Sequence, residues 1–243
     1  MDTADRRAQL RQNLARLRER IAAGCDRAGR SPADITVIAV TKTAPATDVG
    51  LLAELGITDI GENKDQEAGP KYDESVGYPA AVGLTWHFVG QLQTNKARSV
   101  ARYADAVHSV DRVRLVTALD EACRQRDRTL RCLLQVRLDA PDGTPQPARR
   151  GGVVPESVAE LADRVAGSET LRLAGVMAVA PHRADPRPAF DQLRQVSERL
   201  RAQYPEASWI SAGMSDDLEV AIEFGATHVR VGRGILGERG ARR

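Results

Sequence analysis

The chain has 243 residues, with 35 Lys and Arg against 33 Asp and Glu and a formal net charge of +2. So even a balance offers no basic face for nucleic acid and no acidic bias, which leaves a soluble protein acting on a small molecule as the default expectation. Cys25, Cys123 and Cys132 have neither CxxC nor Cys/His spacing, which argues against a disulfide framework or a zinc site and for reduced packing residues in a cytoplasm. The charged N-terminus lacks an apolar leader core and no run approaches the roughly 18 apolar residues of a membrane span, so export and insertion are not expected.

In chain order, Leu10, Leu14, Leu17, Ile21 and Ala22 keep helical spacing among arginines, predicting an amphipathic helix that ends near Gly29. Residues 35–42, ITVIAVTK, read as a buried strand closing on Thr41 and Lys42 before the turn signal Ala44-Pro45. A helix over 49–55 stopped by Gly56 follows, then a short strand over 57–60 closing on Gly61-Glu62-Asn63. The alternation continues with a strand at 86–89, a helix at 94–103, a strand at 106–109, a helix at 113–126 and a strand at 130–138. Residues 139–152, rich in Pro, Gly and Asp, read as a surface connection within one domain. A helix from Pro155, a strand at 171–179, a helix at 186–204, a strand at 208–211, a helix at 215–224 and a strand at 227–231 complete the pattern.

Repeated strand and helix units within about 250 residues argue for a single α/β domain over 1–243, a (β/α)8 TIM barrel; the rival, a doubly wound open sheet, usually needs fewer strands. In such barrels the working groups lie at the C-terminal ends of the strands, and the loops after strands seven and eight frequently bind phosphate. Here those loops are Ser211-Ala212-Gly213-Met214-Ser215-Asp216-Asp217 and Arg230-Val231-Gly232-Arg233-Gly234. Small residues and hydroxyls lead into a helix start in the first, and glycines allow close backbone approach in the second. Asp216-Asp217 resembles a metal pair but reads as capping and dipole partners, and no metal is assigned.

Lys42 stands out because the only other lysines are Lys64, Lys71 and Lys96 in a chain that otherwise uses arginine. A lysine amine can lose its proton in an apolar site and act as a nucleophile, whereas arginine cannot. The plainer reading is a strand-end lysine reaching solvent. Because strand eight closes beside strand one, Lys42 and the anion loops share a cavity, and an amine beside a phosphate cradle suits pyridoxal phosphate. Arg230 at the same mouth could face the pyridine nitrogen and disfavour its protonation, weakening the electron sink. The plainer role for Arg230 is a strand-end salt bridge. His87, between Trp86 and Phe88, points opposite to both and is read as structural.

The motifs TKTAPA (41–46), GENKDQE (61–67), WHFVGQLQTNK (86–96), HSVDR (108–112), SAGMSDDLEVAI and HVRVGRGILG together resemble the pyridoxal-phosphate homeostasis protein family, also called the YggS or PROSC family, over almost the whole chain. The resemblance implies a single barrel like the N-terminal domain of alanine racemase, holding pyridoxal 5'-phosphate as an aldimine on Lys42. It further implies Asn63 as a pocket residue; Ser211, Met214, Ser215, Gly232 and Arg233 in the phosphate region; and Arg230 near the ring nitrogen. Arg233 departs from the family's usual threonine, exchanging a hydroxyl for a bulky cation. Lys64 and Asp65 replace the more usual tyrosine and valine, and Arg149 and Arg150 stand where relatives often carry a lysine, leaving no second acceptor there.

Racemisation needs an acid or base besides the lysine on the other face of the cofactor. In the racemases a tyrosine from a C-terminal domain supplies it; here the chain stops soon after strand eight, and Tyr72, Tyr78, Tyr103 and Tyr204 fall in helices or loops. The expectation is a cytoplasmic, monomeric, non-catalytic protein of cofactor homeostasis, with cofactor-dependent apo-enzymes as recipients and no nucleic-acid or membrane partner. The alternatives are a racemase of restricted scope, or a barrel in which Lys42 forms a Schiff base with a sugar phosphate.

Overall fold

The computed structural model describes residues 2–138, 151–181 and 184–237. The predicted connection therefore lies outside the described residues from 139 to 150, and with it the reading of Arg149 and Arg150. Eight parallel strands close a barrel in sequence order: β1 (Thr36–Val40), β2 (Asp59–Glu62), β3 (Thr85–Phe88), β4 (Ala106–Val110), β5 (Leu130–Gln135), β6 (Leu171–Met177), β7 (Trp209–Ser211) and β8 (His228–Val231), with β8 pairing back onto β1. The helices are α1 (Thr3–Ala28), α2 (Ala46–Glu54), α3 (Asp65–Ser75), α4 (Ala97–Tyr103), α5 (Val113–Arg124), α6 (Val158–Ala166), α7 (Arg187–Gln203), α8 (Leu218–Glu223) and α9 (Arg233–Leu236). The closed barrel, not the open sheet, is the architecture.

The predicted α1 forms and stops where expected, at Gly29 in a left-handed conformation that closes the last turn onto Asp26 O and Cys25 O. Its apolar stripe Leu10, Leu14, Leu17 and Ile21 is buried, and α1 packs on α8, α9 and α2. It thereby covers the outside of the β8–β1 seam, where the short α9 alone cannot. Each of those side chains contributes about 1.5–3 kcal/mol on burial. The half-exposed pairs Arg20–Glu219 and Arg27–Glu223 on its flank contribute about 0–1 kcal/mol each, so the stripe dominates.

Four elements differ most from the sequence reading. The strand expected at 57–60 is β2 at Asp59–Glu62, so Gly61 and Glu62 are ladder residues and not its closing loop. Gly61 opposes Val40 and His87, and a Cβ there would lie 2.8 Å from Ile38 Cγ2. No helix is expected between β2 and β3, yet α3 forms. Gly69-Pro70 hides its periodicity, but Pro70 is exposed, where water can serve the carbonyl that loses its N–H partner. The helix expected at 215–224 begins only at Leu218, and the glycine-rich turn after β8 becomes α9.

The main apolar core lies between barrel and helices, and the barrel interior is unusually polar. Alternation along the strands turns Trp86 and Phe88 outward and His87 inward. Inside, Leu133, Ala174 and Met177 form a small apolar cluster with Trp209, whose ring lies 4.1 Å from that of His228.

Candidate functional site

The mouth of the barrel is best built from the end of β1. Thr41 N donates to Gly61 O at 2.9 Å, extending the ladder one residue, and Ala44 N closes a turn on Thr41 O at 2.9 Å. Lys42 and Thr43 form the corner of that turn, and the Lys42 side chain is exposed. Thr43 has a φ of 64°. A β-branched residue in the left-handed region costs on the order of 1–3 kcal/mol, so strain is held directly beside the lysine. Thr43 N donates to Glu67 Oε2 at 3.2 Å, tying the corner to α3.

Beneath the turn is a buried ionic clamp. Lys71 Nζ donates to Thr41 O at 2.6 Å and to Glu62 Oε1 at 2.5 Å, and Thr41 Oγ1 donates to the same Oε1 at 2.7 Å. Glu62 is 0 % exposed, and its Oε2 has no hydrogen-bond partner among the described residues. The clamp joins α3, β2 and the end of β1 at the residue preceding Lys42.

On the neighbouring side, the loops after β7 and β8 interlock. Gly234 N donates to Ser215 Oγ at 3.2 Å, and Arg233 Nη2 donates to Asp216 Oδ2 at 2.7 Å on the exposed surface. Met214 N donates to Asp217 Oδ1 at 2.6 Å, so Asp217 braces its own loop and makes no side-chain cap on α8. Burial raises the Asp217 carboxyl pKa above its ordinary value, although the Met214 N–H and Arg230 oppose this. Gly232 lies against the end of β1, where an added Cβ would sit 3.3 Å from Val40 O. Bare backbone of the β8 loop therefore runs beside the strand that ends at Lys42.

Arg230 forms the floor. It is 6 % exposed and donates through Nη1 to Ser211 O and Ser211 Oγ, both at 2.7 Å, and through Nη2 to Ala178 O at 2.9 Å. Burial lowers its pKa to about 10, partly opposed by Asp217; it stays cationic at neutral pH. The partners of its Nη atoms are carbonyls and a hydroxyl, so the strand-end salt bridge is replaced by a brace across β6, β7 and β8. Below it, His108 Nδ1 meets Ser211 Oγ at 2.9 Å, His108 Nε2 meets His87 Nδ1 at 2.9 Å, and His87 Nε2 meets Asp59 Oδ1 at 2.8 Å. His87 is thus a barrel-interior residue.

Burial holds the His108 pKa well below the ordinary imidazole value, with His87 and Arg230 adding to the effect, and lowers that of His228 to about 3. Burial pushes the Asp59 carboxyl up, but hydrogen bonds from His87 and Thr58 outweigh it and leave its pKa below the usual carboxylate value.

The structure brings Ser211 and Arg230 into direct contact and sets Ser215, Gly232 and Arg233 on adjoining turns. Ser211 is fully buried and engaged below the mouth, while the Met214 side chain is exposed. Asn63 follows β2, and its backbone is pressed by Gly90: a Cβ on Gly90 would come within 2.0 Å of Asn63 O. Sequence reasoning missed the clamp and the histidine network. Lys71, one of the few lysines, and Glu62, inside the GENKDQE motif, were the available signals for the clamp. Nothing local marks His108 and Ser211 as partners, since 103 positions separate them.

The four tyrosines all lie in the outer layer. Tyr72 and Tyr103 pack around Trp86, with ring centroids 5.4 and 6.4 Å from its indole; Tyr78 rests on Gly50 of α2; and Tyr204 bonds Asp163 of α6.

Residues 6–240 match the family model for the alanine racemase N-terminal domain. A pyridoxal phosphate homeostasis protein of Mycobacterium bovis is 44% identical over 250 residues, covering 97% of this chain and 95% of that protein. One of Escherichia coli is 37% identical over 232 residues, covering 93% and 95%. Among solved structures, PipY of Synechococcus elongatus with PLP bound has a TM-score of 0.76 at 31% identity, covering 94% of this chain and 100% of that one. A diaminopimelate decarboxylase shares the fold at a TM-score of 0.72 and 14% identity. The chain belongs to the pyridoxal phosphate homeostasis protein family, built on the alanine racemase N-terminal domain.

Proposed function

We propose that the chain binds pyridoxal 5'-phosphate at the barrel mouth, with Lys42 supplying the amine that captures the aldehyde, and that it holds and hands over this cofactor without turning over a substrate. The observation that carries the reading is the junction of β1 and β8: the strand ending at Lys42 lies against the bare backbone of Gly232, with the Arg230 guanidinium below both. The residues fit the ligand's three chemical handles. An exposed amine suits the aldehyde, the turns at Ser215 and Gly232–Gly234 suit the phosphate, and Arg230 offers a ring nitrogen a donor and no acceptor. Asn63 and Met214 border the same mouth, and Arg233, paired outward with Asp216, leaves the turn's backbone as the phosphate-facing group. When bound, the cofactor supplies a carbonyl for an amine to attack and a ring able to absorb electrons.

Handover without turnover is supported by the outer-layer positions of all four tyrosines and by relatives that carry the homeostasis name over nearly equal lengths. The reading extends to one barrel domain over residues 1–243, a cytoplasmic monomer, and cofactor-dependent apo-enzymes as recipients. Purified protein is expected to take up the cofactor with a visible absorbance band, and borohydride reduction is expected to place it on the Lys42 peptide. Lys42→Ala is expected to lose both signals. A wild-type protein that stays colourless and unlabelled overturns the site, and α-proton exchange across a panel of amino acids overturns the non-catalytic assignment.

A further inference from the structure

A row of polar side chains crosses the barrel interior from the floor of the mouth toward its opposite end, through Arg230, Ser211, His108, His87 and Asp59, with successive heavy-atom separations of 2.7, 2.9, 2.9 and 2.8 Å. The protons along it can be assigned by donor capacity. Guanidinium has donors only, so Ser211 Oγ accepts from Arg230 and is free to give its single proton to His108 Nδ1. His108 then carries its proton on Nε2 and donates to His87 Nδ1, and His87 carries its own on Nε2 and donates to the Asp59 carboxylate. Every proton in that direction meets an acceptor. In the reverse direction His108 donates to Ser211, whose oxygen then accepts twice, its own proton displaced from the row, and His87 must be a cation. The row thus starts at a cation, ends at a carboxylate, and runs through two neutral rings and a hydroxyl.

We propose that Asp59, His87 and His108 are positioning residues that act through Ser211 to hold the Arg230 guanidinium in place for the ring nitrogen of the bound cofactor, none of them touching it. The inference rests on the cofactor reading above. A proton shuttle is not the role, because Arg230 at the upper end can accept no proton. The groups that face the row are His228 and Trp209, whose rings lie 6.4 and 6.2 Å from that of His87, Thr58, which donates to Asp59 Oδ2 at 2.6 Å, and, at the upper end, the Asp217 carboxylate, whose charge favours the Arg230 cation. His228 bonds Thr227 Oγ1 at 2.8 Å and is not part of the row. Since 28 positions separate Asp59 from His87 and 103 separate His108 from Ser211, only barrel closure assembles it.

The test has two arms on the full chain. In the first, 15N spectra of histidine-labelled wild type, assigned with His87→Gln and His108→Gln, are expected to show both rings neutral with the proton on Nε2. A proton on His108 Nδ1 or a charged His87 reverses the row and overturns the proposal. In the second, His87→Leu, three hydrogen bonds removed from Arg230, is expected to release pyridoxal phosphate about tenfold faster, the scale of one charge-assisted hydrogen bond, and to move the pH midpoint of the visible band. His108→Gln, which can accept from Ser211 and donate onward, is expected to stay within about threefold of wild type. Wild-type release and an unmoved midpoint in a cooperatively folded His87→Leu overturn the proposal; if that variant does not fold, the first arm decides. Wild type that takes up no cofactor overturns the site reading instead, with the first arm still reporting the direction of the row.

Discussion

Lys71→Met tests the clamp beneath Lys42 most directly. The substitution keeps most of the side-chain volume but removes the amine that bonds Glu62 Oε1 and Thr41 O. The Glu62 carboxylate is then left 0 % exposed with Thr41 Oγ1 as its remaining donor and Oε2 still unpartnered. Breaking a buried pair from one side costs about 3–5 kcal/mol, because the surviving charge is uncompensated. For a chain of this size that lowers the melting temperature by very roughly 6–20 °C. The double variant Lys71→Met/Glu62→Leu removes both charges and leaves one unmatched Thr41 hydroxyl, so its cost is expected near 1–2 kcal/mol. Urea unfolding followed by circular dichroism, with an unchanged dependence on denaturant, measures all three chains. If Lys71→Met lies within about 1 kcal/mol of wild type, or if the double variant is worse than the single, the clamp is not the ionic anchor described here.

Acid stability follows from the buried imidazoles. With the His228 pKa lowered to about 3 and that of His108 also well below its ordinary value, the unfolded chain takes up protons first as pH falls. The His228 contribution is full above about pH 6.5 and drains toward about pH 3, at up to ~1.4 kcal/mol per pH unit, and that of His108 is lost in the same direction as pH falls. His228→Gln is expected to flatten the urea midpoint between pH 6.5 and 4.5 by one such increment, and an unchanged slope refutes its buried neutral state. Gly90→Ala drives a methyl to within 2.0 Å of Asn63 O and is expected to cost more than about 3 kcal/mol or to prevent soluble folding; a melting temperature equal to wild type contradicts the close approach. Arg233→Ala removes an ion pair whose side chains are 69% and 82% exposed, so stability is expected to change by less than about 0.5 kcal/mol. Cofactor affinity in that variant is expected to move by less than about threefold, and a larger loss would mean that the guanidinium itself binds the phosphate.

The sequence alone specified the alternation of strands and helices, the lysine after the first strand and the small-residue loops after the last two, because each is a local pattern of spacing and turn chemistry. It also placed His87 opposite Trp86 and Phe88 by simple alternation. It did not show α3, where Gly69-Pro70 interrupts the periodicity, nor that Gly61 and Glu62 continue β2, which depends on pairing with β1 and β3. Only the tertiary structure decided that Ser211 is bound inside the barrel by Arg230 and His108, that Lys71 and Glu62 anchor the turn carrying Lys42, and that Arg233 turns outward to Asp216. Those contacts join residues far apart in the chain, and a hydrogen bond across a closed barrel leaves no periodic trace in either partner's neighbourhood.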